Sequence, residues 1–301
     1  MKIMRLITLF LAIGSPLFAQ TVDTLSGNKV VFLGDSITQT GTYISFLEYY
    51  LDKLYPRKNF DFYAIGLASE TVSGLSEEGH ARGEFPRPCL FERLGRALER
   101  IKPEVVFACY GINDGIYKPF DDERFAAFTN GVLMMVEQCK AAGVQQIFLL
   151  TPPIYDYDKP RRENDFNYDE VMIRYAAWET SLKIPGVFIV DLHTAMRKAR
   201  SGRNECFSKD RIHPNDDGHL VMAKTILKAF GVNVPDESAE IIRTDPLFIQ
   251  IDERRIHRGT AWRHGIGFTR EKQVEPQPVE DKEVEAVKMQ GKIDAMRRGE
   301  Q

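Results

Sequence analysis

Five short apolar runs alternate with amphipathic segments between residues 29 and 230, and this alternation limits the possible folds more than any other feature. The runs are 29–33 (KVVFL), 60–65 (FDFYAI), 104–110 (EVVFACY), 146–150 (QIFLL) and 187–191 (VFIVD). Segments 43–55, 90–101, 122–140, 168–183 and 216–230 carry apolar residues at three-to-four spacing, the signature of helices with one buried face. Strands joined by helix-length connections pair in parallel. Right-handed crossovers then put helices on both faces of the sheet. The expected class is α/β, a three-layer α/β/α sandwich around a five-stranded parallel sheet.

The chain has 301 residues, 43% hydrophobic and 28% charged, enough for one large domain with a real core. A net charge of -3 provides no extended basic face, so nucleic acid is not an expected partner. The first twenty residues, MKIMRLITLFLAIGSPLFAQ, read as a signal peptide. Lys2 and Arg5 supply positive charge, Leu6 to Ile13 form an apolar stretch too short to span a bilayer, and Ala19 ends a cleavage site. Residues 1–19 are therefore expected to be removed, leaving an exported (secreted or periplasmic) chain with no stable membrane insertion. Residues 20–231 form the main domain and 232–270 a C-terminal extension packed on it. Residues 271–301 read as a polar linker and an exposed helix. Export permits disulfides. Cys89, Cys109, Cys139 and Cys206 match no zinc spacing, however, and are read as free thiols.

The polar residues that end the apolar runs carry the chemistry. The first run passes into Gly34-Asp35-Ser36, which presents a hydroxyl at the carboxyl edge of the sheet, where a helix soon begins. The same residues also suit an ordinary helix cap. The second run ends near Gly66, and the third in YGINDG (110–115), where the Asn113 amide can point an N–H at a developing oxyanion. In KDRIHPNDDGH (209–219), Asp210 and His213 are three residues apart, so the carboxylate can reach the ring Nδ1 and leave Nε2 for a serine. His193, after the fifth run, is a rival base without such a partner, and His219 reads as a core residue. Two loops are longer than the fold needs: 69–89, which carries His80, Arg82 and Arg87, and 152–167.

The order Ser, Gly, Asn, Asp-x-x-His resembles the SGNH/GDSL hydrolase superfamily over roughly residues 28–231. GDSIT (34–38) matches its nucleophile block, Gly66 the second, GIND (111–114) the third and DRIHP (210–214) the last. The second block departs from the pattern. Where members often read Asn-x-Gly followed by Ser-Gly-Glu-Thr, this chain has Ala64 for the Asn and Ala68-Ser69 for Ser-Gly. The resemblance implies the flavodoxin-like fold of these hydrolases and a serine esterase that uses no metal or organic cofactor. It also implies Ser36 as nucleophile, His213 as base and then acid, and Asp210 as the residue that orients His213. The oxyanion would be held by the Ser36 and Gly66 N–H groups and by Asn113.

Asp35, His80, Arg82 and Arg87 are candidate substrate-binding residues, because Arg pairs with carboxylates and polar loops suit a polar substrate. Trp262 is a candidate sugar-stacking residue or a packing residue. The expected partner is a small-molecule or glycan ester, with O-acetylated carbohydrate preferred. A lipid esterase or lysophospholipase is the alternative, although HARGEFPRP (80–88) is not the apolar lining it needs. A catalytically silent carbohydrate-binding protein is a third reading, disfavoured by the complete constellation.

Overall fold

The computed structural model describes residues 20–161, 163 and 165–299; the expected leader, 1–19, lies outside them. Five parallel strands form the sheet: β1 (Lys29–Gly34), β2 (Asp61–Ala64), β3 (Val105–Cys109), β4 (Gln146–Leu150) and β5 (Val187–Val190). Their spatial order is β2-β1-β3-β4-β5. The direction of winding reverses between β1 and β3, and the crevice at the carboxyl ends there is where open α/β sheets bind ligands. Gly34 pairs with Cys109, so both strands stop at the same level. Ser36 and Asn113 follow within a few residues.

The sequence fixes register through one aromatic row. Phe32, Phe107, Phe148 and Phe188 are consecutive register partners, with ring centroids 4.9, 4.6 and 5.3 Å apart. A one-residue slip would turn each ring to the opposite face. Both faces of the sheet are buried, so a slip would not expose the rings but would break the ring contacts between neighbouring strands, each worth roughly 0.5–1.5 kcal/mol. Phe230 lies over Phe107 and Phe148 and closes the row.

The helices are α1 (Ser36–Thr40), α2 (Thr42–Leu54), α3 (Leu94–Ile101), α4 (Asp122–Ala141), α5 (Asp169–Ser181), α6 (Leu192–Arg200) and α7 (Asp216–Ala229). Helix α2, which follows Ser36, packs against α7, which follows His213. Two segments far apart in sequence are thereby held side by side.

Beyond residue 231 come α8 (Ala239–Arg243), α9 (Pro246–Ile266), a two-stranded turn of β6 (Phe268–Thr269) and β7 (Gln273–Val274), and α10 (Glu280–Arg298). Helix α9 lies against α2 and the β2 edge of the sheet, and α10 lies along α9. Most of α10 is exposed, but it is not adrift: Ala286 and Ile293 are buried, and Arg297 bonds Asp52 at 2.9 Å and the Lys58 carbonyl at 2.7 Å. Glu283 accepts from Arg258 and from Trp262 Nε1. Trp262 is buried against Tyr63 and so packs the extension on the domain instead of facing a sugar. All four cysteines are free thiols. None of the helices among the described residues is long and apolar enough to cross a membrane.

Candidate active site

Ser36 is the first residue of α1. Asp35 caps that helix by accepting from Ile37 N at 2.9 Å, and the N–H of the first helical residue has no carbonyl partner within the helix. Ser36 Oγ lies 2.8 Å from His213 Nε2. His213 Nδ1 lies 2.6 Å from Asp210 Oδ2, while Asp210 Oδ1 accepts from the backbone N–H of Ile212 (3.0 Å) and His213 (2.8 Å). Burial would raise the Asp210 carboxyl, but its hydrogen bonds from His213 outweigh that and hold it below the usual carboxylate range. An ionised Asp210 can only accept, so Nδ1 carries the ring proton and Nε2 is free to take one from Ser36. The His213 and Asp210 side chains are 47% and 55% exposed, and the site is accordingly open.

Gly66 follows the β2 edge strand. Ile65 N donates to Phe32 O and Leu67 N to Gly34 O, which leaves the intervening Gly66 N–H unused by that ladder. The close approach of α1 explains the glycine: a Cβ there would fall 2.5 Å from Gln39 N. Gln39 Oε1 also accepts from Ala68 N, tying α1 to the loop after β2.

Asn113 Nδ2 donates to Glu70 O at 3.2 Å, which uses one of its two amide hydrogens. The carboxylate of Glu70 is itself locked by Arg93 (2.6 and 2.7 Å) and the Tyr110 hydroxyl (2.6 Å). Asp114 accepts from the Gly111, Val72 and Ser73 N–H groups and so staples the second- and third-strand loops together. Its burial raises its pKa even so.

The loop 152–167, described except for residues 162 and 164, proves to be the scaffold of the Asp-x-x-His loop. Asp156 accepts from Phe207 N, Ser208 N and Arg200 Nε, and Asp156 N donates to Arg211 O. Arg211, between Asp210 and His213, reaches Asp165 and Lys159 O and lies over the Tyr157 ring.

The candidate substrate-binding residues fare differently from the triad. Asp35 is spent on the α1 cap, 2% exposed, and burial pushes its carboxyl up to about 7. His80 is turned inward, with Nδ1 on Phe85 O and its ring edge-on to Phe85. Arg87 is also turned inward, because its guanidinium finds Glu77 at 2.6 and 2.5 Å and Asn113 Oδ1 at 2.9 Å. These three are corrected from substrate contacts to internal ones; Arg82 alone of the four is exposed. The rival base His193 is buried at the start of α6 with its Nε2 3.6 Å from Asp169, and burial lowers the ring to about 4. His219 is buried beside Tyr43 and lowered by burial to about 3.

The residues missed in the sequence are Glu70, Arg93, Tyr117, Asp156 and Arg211. Each is a polar residue on a loop or at a loop end, and the partners named here are 4 to 55 positions away with no periodicity to link them. The one available signal was the Arg inside DRIHP.

Known proteins resemble the chain over the span that carries these residues. A family model described as GDSL-like lipase/acylhydrolase matches residues 32–221. An acetylxylan esterase of Geobacillus stearothermophilus is 25% identical over 235 residues, 68% of this chain and 95% of that protein. Among solved structures, a gut microbial diltiazem-metabolizing enzyme superposes with a TM-score of 0.54 at 21% identity, over 71% of this chain; the chain spans about half (49%) of that one. A GDSL-like lipase from Parabacteroides merdae covers 71% of this chain and 100% of its own, with 17% identity and a TM-score of 0.49. With the family match running from β1 past the His213 loop into α7, the chain belongs to the GDSL-like lipase/acylhydrolase family and is a carboxylic ester hydrolase.

Proposed function

We propose that the protein is an exported serine esterase that removes O-acetyl groups from polysaccharides or oligosaccharides. The observation that carries the serine mechanism is the continuous line Asp210–His213–Ser36, with contacts of 2.6 and 2.8 Å. His213 Nε2 takes the Ser36 proton as Oγ attacks the ester carbonyl carbon. The carbonyl oxygen becomes an oxyanion held by the Ser36 and Gly66 N–H groups and the second Asn113 amide hydrogen. As the intermediate collapses, the alcohol leaves with the proton from His213. Water, deprotonated by His213, then cleaves the acyl-serine and releases the acid.

The carbohydrate reading is supported by the acetylxylan esterase relative and by the open, polar surroundings of Ser36. A short acyl group needs no deep apolar channel, whereas a long chain gains roughly 0.8 kcal/mol for each CH₂ it buries. Export is supported by the charge and apolar pattern of residues 1–19. The test is hydrolysis of acetylated xylan and acetylated oligosaccharides beside esters of increasing acyl length. The expected order is acetyl fastest, with loss of all turnover in Ser36→Ala. Faster turnover of long-chain acyl esters would contradict the carbohydrate reading, and turnover that survives Ser36→Ala would contradict the mechanism.

A further inference from the structure

Asn113 has more partners on its oxygen than an oxyanion donor needs merely to stay folded. Arg87 Nη1 and the Tyr117 hydroxyl both lie 2.9 Å from Oδ1. A guanidinium has donors and no acceptor, so the amide atom facing it must be the oxygen. The nitrogen is thereby turned the other way, with one hydrogen on Glu70 O and the other left over.

Both partners are themselves held. Arg87 is 8% exposed, and its remaining donors form a fork on Glu77, with Nε at 2.6 Å and Nη2 at 2.5 Å. Burial alone would raise the Glu77 carboxyl, but the Arg87 hydrogen bonds hold it below the usual range, so the pair is ionised. Tyr117 reaches back four residues only because the chain turns sharply. Ile116 and Tyr117 have φ of 47° and 54°, and Ile116 N donates to Asn113 O at 2.9 Å. Two successive left-handed non-glycine residues, one of them β-branched, are rare, and strain of this kind persists where the surroundings impose it. The Arg87 guanidinium also lies 5.2 Å over the Tyr117 ring, so the two partners brace each other.

We propose that Arg87 and Tyr117 are positioning residues of the oxyanion site. They fix the Asn113 amide with its nitrogen toward the reacting carbonyl, and the Arg87 charge draws electron density onto Oδ1, which makes the remaining N–H a stronger donor as the oxyanion forms. The inference rests on Asn113 being an oxyanion donor.

The test is a double-mutant cycle read with p-nitrophenyl acetate, measuring kcat and KM separately. Arg87→Met, Arg87→Lys and Tyr117→Phe are each made alone and together with Asn113→Ala. Asn113→Ala alone is expected to lower kcat by about 10²–10³. In the wild-type background Tyr117→Phe is expected to lower kcat by about 3–10-fold and Arg87→Met by about 10–30-fold, with KM nearly unchanged. Arg87→Lys, which keeps the charge, is expected to recover part of that loss. Combined with Asn113→Ala, the same substitutions are expected to change kcat by less than about twofold, because the group they act through is gone. Equal factors in both backgrounds would overturn the inference, since Arg87 and Tyr117 would then act independently of Asn113. Should Arg87→Met fail to fold with Glu77 left unpaired, Tyr117→Phe decides by itself, as it removes a single hydroxyl. An unchanged kcat in Asn113→Ala would instead refute the oxyanion reading beneath the inference, and the two failures are distinguishable.

Discussion

A serine in a left-handed backbone crowds its own Cβ against the chain, and Ser69 adopts φ of 68° in the loop that starts at Gly66. This is the position where the second block departs from the family pattern by replacing a glycine. The departure therefore has a local cost, in a loop that is held from below by Asp114 and from the side by Gln39. Ser69→Gly is expected to relieve the strain while losing some unfolded-state advantage, for a net gain of about 0.5–1 kcal/mol. A urea titration of both proteins checks this, and a lower midpoint for the variant would show that the Ser69 side chain contributes more than its backbone costs. At this scale the sequence was informative about Ser36, Gly66, Asn113, Asp210 and His213, because each is fixed by its place at a strand end or by short loop spacing. It misled on Asp35, His80 and Arg87. A charged residue in a polar loop reads as facing solvent or substrate, and nothing local reveals that Glu77 lies ready to take Arg87 inward.

Among the elements, α9 is the longest that sequence patterning did not find; the shorter α6 and α8 went unread as well. The buried face of α9 includes Arg254, Arg255, Arg258, Gly259 and Trp262, so the usual apolar stripe is interrupted by cations. Those cations are matched: Arg254 meets Glu48 across the interface, Arg255 meets Ser45 across it and Asp252 within α9 itself, and Arg258 meets Asp61 and Glu283. Gly259 lets the helix press against the sheet edge, since a Cβ there would fall 2.4 Å from Ala64 O. Arg258 joins three elements, β2, α9 and α10, and also stacks 3.9 Å from the Tyr63 ring. Arg258→Met would strand two carboxylates, each of which is partly exposed and can rehydrate. The expected loss is about 3 kcal/mol, at the lower end for breaking a buried pair, read as a shift in the urea midpoint with kcat retained. A shift of a few tenths would mean that α10 adds little to the domain. The α10 helix itself was visible as a helix, but its docking was not, because the residues that fasten it are the charged ones expected to face water.

For the whole molecule, the alternation of apolar runs and amphipathic segments was sufficient to predict five parallel strands in a three-layer sandwich, and each observed strand falls within one or two residues of its run. Parallel strands buried on both faces are continuous apolar stretches, which leaves little ambiguity in reading them. The strand order then brings the ends of β1, β2 and β3 together, so that residues separated by up to 177 positions meet at one crevice. The long loops that rim it do a structural task as well: 69–89 carries Glu70 and Arg87 to Asn113, and 152–167 carries Asp156 to the His213 loop. The proposed mechanism makes Ser36, 2.8 Å from His213 Nε2, the residue that forms the covalent acyl intermediate. A fluorophosphonate ester, which modifies only a serine activated by a base, tests that most directly. The account predicts one stoichiometric adduct, mapped by mass spectrometry to the peptide holding Ser36 and lost in His213→Ala. An adduct on a different serine, or undiminished labelling of Ser36→Ala, would contradict it.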